Sequence, residues 1–299
     1  MLEKLTALIR SMRLRTLPLS LAGVILGLGL AIHYHTVQPI VAVTTLLTAA
    51  LLQILSNLSN ELGDYLSGTD TDERTGPAYS LQSGTLSPAD LRTAIAVTAV
   101  LCCLSGAAMI WLSFGTLLCT EAIALLLLGA AAIWAALRYT LGRNPYGYRG
   151  LGDLFVFLFF GLASVGGSYF VAVHTFDPWV LLPAAAIGFF SIGVLNTNNI
   201  RDMETDAGTR VTIPLKIGLR NARIYQTVLI CGGWISLILF LLLDPIGWSW
   251  LCVITLPLYI VHLRGVWKYS GRQLDKMLPL LVMTTFLLSC ILSLTYIII

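Results

Sequence analysis

Apolar stretches of about twenty residues, each closed by a short polar break, recur along almost the whole chain, and a helix of that length crosses the hydrocarbon of a bilayer. Nine are readable, at about 16–33, 39–62, 89–112, 116–138, 152–173, 179–200, 222–243, 247–264 and 277–298. Ahead of them, residues 1–13 set Leu2, Leu5, Leu8, Ile9 and Met12 on one helical face with Lys4 and Arg10 off it, the pattern of a helix lying in the membrane interface. The first apolar stretch follows Arg13 and Arg15 as a signal peptide would. It lacks a small-residue cleavage site and further spans follow, so it reads as the first transmembrane helix. The fold class is therefore an all-α integral membrane protein, residues 1–299 forming one domain.

Composition agrees: at 57% hydrophobic and 11% charged, the chain is too apolar for a soluble domain. The placement of charge says more. With nine spans, the N-terminus and the loops near 63–92, 138–150, 201–223 and 264–276 share one face, and they hold all eighteen Lys and Arg. The opposite loops have Asp177 and Asp244 and no base, with Glu121 just inside a span. Bases collect on the cytoplasmic side, which puts the N-terminus in the cytoplasm and the C-terminus across the inner (plasma) membrane. The six cysteines lie in apolar runs without metal-ligand spacing and the four histidines are scattered, so neither set suggests a metal cluster. No nucleic-acid partner is expected.

Two polar clusters break the apolar pattern. The first gathers Asn57, Asn60, Glu61, Asp64, Asp70, Asp72, Glu73 and Arg74 where the second span ends, and carboxylates at a helix mouth are expensive enough to signal function. The second spaces Asn198, Asp202 and Asp206 four residues apart, on one face while the helix continues. Asn60 and Asp64 repeat the register of Asn198 and Asp202 at an offset of 138 residues. Two related halves would thus each bring an asparagine-aspartate helix end to one cavity. Facing carboxylates repel unless cations lie between them, and Mg²⁺ favours such oxygens together with substrate phosphates. Arg74, Arg143, Arg149, Arg201, Arg210 and Lys216 lie where they would meet an anion. Asp72, Glu73, Glu204, Lys268 and Arg272 read as solvated loop.

These clusters, with RLRTLPLSLAGVILG at 13–27, QILSNLSNELGDYLSGTDTDERTGP at 53–77, PYGYRGLGDLFVFLFFG at 145–161 and NNIRDMETD at 198–206, resemble the UbiA superfamily of intramembrane aromatic prenyltransferases. Within it, the branch acting on 1,4-dihydroxy-2-naphthoate in menaquinone synthesis is the most similar. The resemblance implies nine helices around a central cavity, with a polyprenyl diphosphate held through Mg²⁺, or Mn²⁺ as a substitute, by the two aspartate motifs. On that basis Asn60, Asp64, Asp70, Asp202 and Asp206 are the metal ligands. Where the wider family often has an acid, this chain has Gly68; naphthoate-type members shift that acid to the position of Asp70. Asp70 is favoured over Asp72 because Gly68 lets the chain turn back.

Asp64, Asp202, Asp206, Tyr139 and Arg143 are then the catalytic set. Asn60, Arg74, Tyr146, Tyr148, Arg149, Asn198, Arg201 and Lys216 contact substrate. Tyr139, Tyr146, Tyr148, Phe155 and Phe159 could shield an allylic cation. Asp153 reads as a base, an arginine partner or a helix cap, and the last three spans as wall around a lipid tail. Two alternatives stay open: a sibling enzyme with a 4-hydroxybenzoate-type or haem acceptor, and a cation-coupled transporter.

Overall fold

The computed structural model describes residues 2–68 and 80–298. Asp70, Asp72, Glu73 and Arg74 lie outside the described residues, and so does the choice between Asp70 and Asp72. Among the described residues no strand forms, and nine helical segments are long and apolar enough to cross a bilayer. We label the interfacial helix α1 (Leu2–Ser11) and its continuation α2 (Leu17–Tyr34). Then come α3 (Pro39–Leu66), α4 (Pro88–Phe114), α5 (Thr120–Arg138), α6 (Gly152–Val173), α7 (Pro178–Arg201), α8 (Ile213–Leu243), α9 (Ser249–Lys268) and α10 (Gly271–Ile298). The protein is a multi-pass membrane protein.

Local chemistry explains where the helices begin. Ser87 Oγ accepts from Asp90 N at 3.2 Å while the Asp90 carboxylate accepts from Ser87 N at 2.9 Å, which satisfies two amides at the start of α4. Lys4 Nζ reaches the same carboxylate at 2.9 Å and ties α1 to α4. On α1, Ala7 and Ser11 are buried while Leu2, Leu5 and Ile9 are exposed, so the apolar face expected from the sequence points mainly away from the protein, as an interfacial helix requires. The expected start of the seventh span at 222 was too late. Pro214 opens α8 from Ile213, and polar residues such as Lys216 and Arg220 hid that first part from hydropathy; Gly218, at φ 77° and ψ 161°, interrupts it before the apolar run.

Helix association inside a membrane depends on close packing and hydrogen bonds, because lipid is as apolar as leucine. One core cluster joins α1, α3 and α4 through Ala7, Leu55, Leu58, Leu62, Leu91 and Ile95. A larger one joins α2 with α6–α10 through Leu26, Leu30, Val165, Ile187, Phe190, Leu237, Tyr259 and Leu288. Small residues allow the tight approaches. α6 is π-helical over Phe157–Gly167, and there Gly161 lies against α7 so closely that a Cβ would meet Ala184 O and Gly188 Cα at 2.7 Å each. The glycine pairs at 166–167 and 232–233 and the alanine-rich run at 130–136 are expected from the sequence to make close helix contacts; Gly233 packs on Phe190, but a Cβ on Gly166 would meet nothing and only Ala135 of that run's alanines is buried. Pairing in sequence does not say which face a residue occupies.

Gly161→Ala should therefore destabilise the protein by ~1–3 kcal/mol through overpacking, read as a lower thermal midpoint in detergent. Gly166→Ala should leave that midpoint in place. Equal midpoints for the two variants would refute the contact.

Candidate active site

The last turns of α3 carry Asn60, Glu61 and Asp64, and the turn beyond them is made at Gly68 with φ 67°. Asp64 is only 4% exposed, and a carboxylate so buried must be paired. Tyr148 Oη donates to Asp64 Oδ1 at 2.7 Å, and Arg210 Nη2 donates to the same oxygen at 2.7 Å. Arg210 Nε lies 3.6 Å from Asp206 Oδ1. One guanidinium thus joins the two aspartate motifs. It also sits over the Tyr148 ring, 4.8 Å from the centroid. The backbone holds this arrangement: Val211 N donates to Tyr148 O at 3.1 Å, Arg149 and Val211 form a parallel bridge, and Gly208 turns the intervening chain with φ 87°.

The second motif keeps its register although the helix ends inside it. α7 stops at Arg201 and Asp202 is its C-cap, yet Asp202 N still bonds Asn198 O at 3.1 Å and Asp206 N bonds Asp202 O at 2.8 Å. Asp202 and Asp206 are each 4% exposed. Arg201 grips Asp202 with a fork, Nε on Oδ1 and Nη2 on Oδ2, both at 2.7 Å. Nη2 also donates to Asn198 Oδ1 at 2.9 Å, and Nη1 donates to Asp275 Oδ1 at 3.0 Å. Asp206 is the residue that shares a cation with Asp64. Asn60 Oδ1 accepts from Thr140 Oγ1 at 3.3 Å.

An aromatic wall adjoins the carboxylates. Tyr146 donates to Ala135 O at 2.8 Å and stacks on Phe155 with centroids 3.9 Å apart; Trp134 stacks on Tyr146 at 6.2 Å and lies tilted against Phe155 at 6.1 Å, and Phe155 continues to Phe159. Tyr139 meets Tyr146 edge-on at 5.4 Å. Trp134 was not foreseen, since nothing in the sequence marks one tryptophan of a span as facing a site. Arg143, Arg149 and Lys216 are exposed, and among the described residues no ion pair ties them to the carboxylates. Lys216 Nζ lies over Gly150. Asp153 is partnered by Tyr225, whose hydroxyl donates at 2.7 Å, and its helix has no side-chain cap. The last spans are more than a wall, because α8 supplies Tyr225 and α10 supplies Asp275.

Among the described residues no group of three or more His, Cys, Asp or Glu is close enough to hold a metal ion. The donor chemistry nevertheless suits a hard cation: the ligating atoms are carboxylate and amide oxygens, and a guanidinium already occupies the place between Asp64 and Asp206 that a cation would take. A cavity of about 570 Å³ lies at the other end of the bundle, between Tyr34, Tyr169, Asp177, Trp179 and Asp244.

Burial pushes the Tyr139 phenol up from 10.0 to about 12, with Asp64, Asp153 and Asp206 adding to the rise and Arg210 opposing it. Tyr146 and Tyr148 rise for the same first reason. A phenol raised in the fold favours the folded state fully below its unfolded value, and that contribution is lost as pH climbs through the folded value. The thermal midpoint of the wild type should accordingly fall more steeply than that of Tyr139→Phe between about pH 10 and about pH 12. Parallel curves would show that Tyr139 is not desolvated.

The geometry can be set beside known proteins. Residues 20–291 match the UbiA prenyltransferase family. The chain is 39% identical to the 1,4-dihydroxy-2-naphthoate octaprenyltransferase of Escherichia coli (strain K12), over 92% of this chain and 88% of that protein. It is 36% identical to the protein of the same name from Haemophilus influenzae, over 93% and 91%. Among solved structures, the apo form of a UbiA homolog from Aeropyrum pernix K1 superposes with a TM-score of 0.69 at 17% identity, covering 97% of this chain and 98% of that one. A UbiA homolog from Archaeoglobus fulgidus bound to DMAPP and Mg²⁺ gives 0.57 at 16%, covering 92% and 98%. With two aspartate motifs joined at one end of nine apolar helices and a family match across nearly the whole chain, this protein belongs to the UbiA prenyltransferase family.

Proposed function

We propose that the protein transfers a polyprenyl group from polyprenyl diphosphate to 1,4-dihydroxy-2-naphthoate, releasing diphosphate and CO₂ and giving demethylmenaquinol. The observation that carries this reading is the Arg210 guanidinium shared by Asp64 and Asp206, which joins both motifs at one end of an apolar bundle. Relatives named for that naphthoate at 36–39% identity set the acceptor. One domain spanning 1–299 performs the reaction.

Asp64, Asp202 and Asp206, with Asn60, Asn198 and Asp70, are the oxygen donors that would hold Mg²⁺, or Mn²⁺ in its place. When bound, the metal supplies Lewis-acid neutralisation of the diphosphate. The chain's own cations do the rest of the electrostatic work. Arg143, Arg149, Arg201, Arg210 and Lys216, together with Arg74, stabilise negative charge as the allylic C–O bond breaks and its electron pair leaves with diphosphate. The allylic cation left behind faces the aromatic wall of Tyr139, Tyr146, Phe155 and Phe159, whose ring faces favour positive charge, while Tyr148 orients Asp64. A ring carbon of the acceptor then bonds to the cation, and loss of CO₂ and a proton restores its aromaticity. Tyr146, Tyr148 and Arg149 are on the acceptor side. The prenyl tail extends among the helices, next to membrane lipid. The base-rich end, with the N-terminus, faces the cytoplasm of a cell whose plasma membrane holds the protein.

Asp64→Asn and Asp202→Asn should each lower turnover by ~10²-fold or more while the protein still elutes as a folded species. Product analysis with purified protein tests the acceptor: prenylated dihydroxynaphthoate is expected. Product from 4-hydroxybenzoate alone would sink the assignment.

A further inference from the structure

We propose that Arg210 is a built-in counter-cation: in the metal-free protein it holds Asp64 and Asp206 together, and it yields both carboxylates when a divalent cation binds. The inference rests on the reading above that these aspartates are metal ligands, and it adds a residue that competes with the metal for them.

The three side chains are nearly closed to water, with Arg210 11% exposed, Asp64 6% and Asp206 5%. Two carboxylates brought together there would repel strongly without a cation between them. Arg210 supplies that cation from within the chain, reaching Asp64 across 146 residues of sequence at 2.7 Å and Asp206 at 3.6 Å. The oxygens it uses are those a divalent ion would need. Guanidinium and metal are therefore mutually exclusive at Asp64 Oδ1, and each weakens the other's hold by the same factor.

The two arginines are held differently. Arg201 makes a two-point fork to its sequence neighbour Asp202 and spends its remaining donors on Asn198 and Asp275, so releasing it would undo three contacts at once. Arg210 meets Asp206 at a longer distance, and its backbone is pinned on both sides: Arg210 N donates to Asp206 O and Val211 N to Tyr148 O, each at 3.1 Å. Only its side chain has to move. The Tyr148 ring beneath it, 4.8 Å away, gives the guanidinium a face to slide on. A released guanidinium stays at the mouth of the pocket, where its planar donors suit phosphate oxygens.

The test is the thermal midpoint of purified, EDTA-stripped protein as MgCl₂ is added, a readout that needs no turnover. The wild type should be stabilised saturably. R210Q should melt lower in EDTA and reach half-saturation at a Mg²⁺ concentration at least ~10-fold lower, the worth of one charge-assisted hydrogen bond. A merely structural arginine would lower the starting midpoint without sharpening the Mg²⁺ response. R210K, which cannot span both carboxylates with a planar fork, should shift half-saturation in the same direction and decides the matter if R210Q does not fold. An unchanged or higher half-saturation in the variants overturns the role of Arg210 alone. A wild type indifferent to Mg²⁺ overturns the metal-site reading with it.

Discussion

Burying carboxylate charge at the end of an apolar bundle is the constraint on which the rest of this structure depends. Asp64, Asp202 and Asp206 are each about 4% exposed, and an ionised carboxylate out of water is tolerated only with a charged or hydrogen-bonding partner at contact distance. Arg201, Arg210 and Tyr148 meet that demand. To do so the loop after α5 must place Tyr148 beside α3, and the loop after α7 must fold back onto it. The Arg149–Val211 bridge and the turn at Gly208 accomplish this. The base-rich loops are thus structural consequences of the acids.

The same constraint divides the arginines. Arg201 lies one residue from the carboxylate it neutralises and is further tied to Asn198 and Asp275, so it belongs to the frame that fixes α7 against α10. Arg210 joins residues from the two halves of the chain. Glu61 solves a related problem on the other side of α3: wholly buried, it accepts from Ser80 N at 2.9 Å, and Ser80 Oγ in turn donates to Ala7 O. This fixes the chain just past the residues between 68 and 80 onto α1 and α3.

The spans were legible because they depend on an additive quantity. About twenty apolar residues suffice for a crossing whatever their neighbours. The aspartate motifs were legible because a four-residue spacing survives even the helix end at Asp202. Pairing was not. A shared register does not show that the turn after Asp202 carries Asp206 to the arginine it shares with Asp64. The partner of Asp153 is Tyr225, 72 residues away, and that of Asp275 is Arg201, 74 residues away. The π-helical stretch of α6 left no mark in composition, although its effect, Gly161 against Gly188, involves a glycine within a block that resembles the family.

The opposite end of the bundle faces the same physics with different means. Its loops contain no Lys or Arg, yet Asp177 and Asp244 need partners. Phenols supply them: Tyr169 donates to Asp177 at 2.5 Å, and Tyr34 and Tyr296 both donate to Asp244, the latter at 2.8 Å. A phenol satisfies a carboxylate without cancelling its charge, so this end stays acidic and offers nothing to hold a diphosphate. An arginine cancels the charge and can pass to a phosphate when a metal takes its place. The one-sided distribution of bases therefore leaves the end where the two aspartate motifs meet as the end with guanidinium groups to offer an anion.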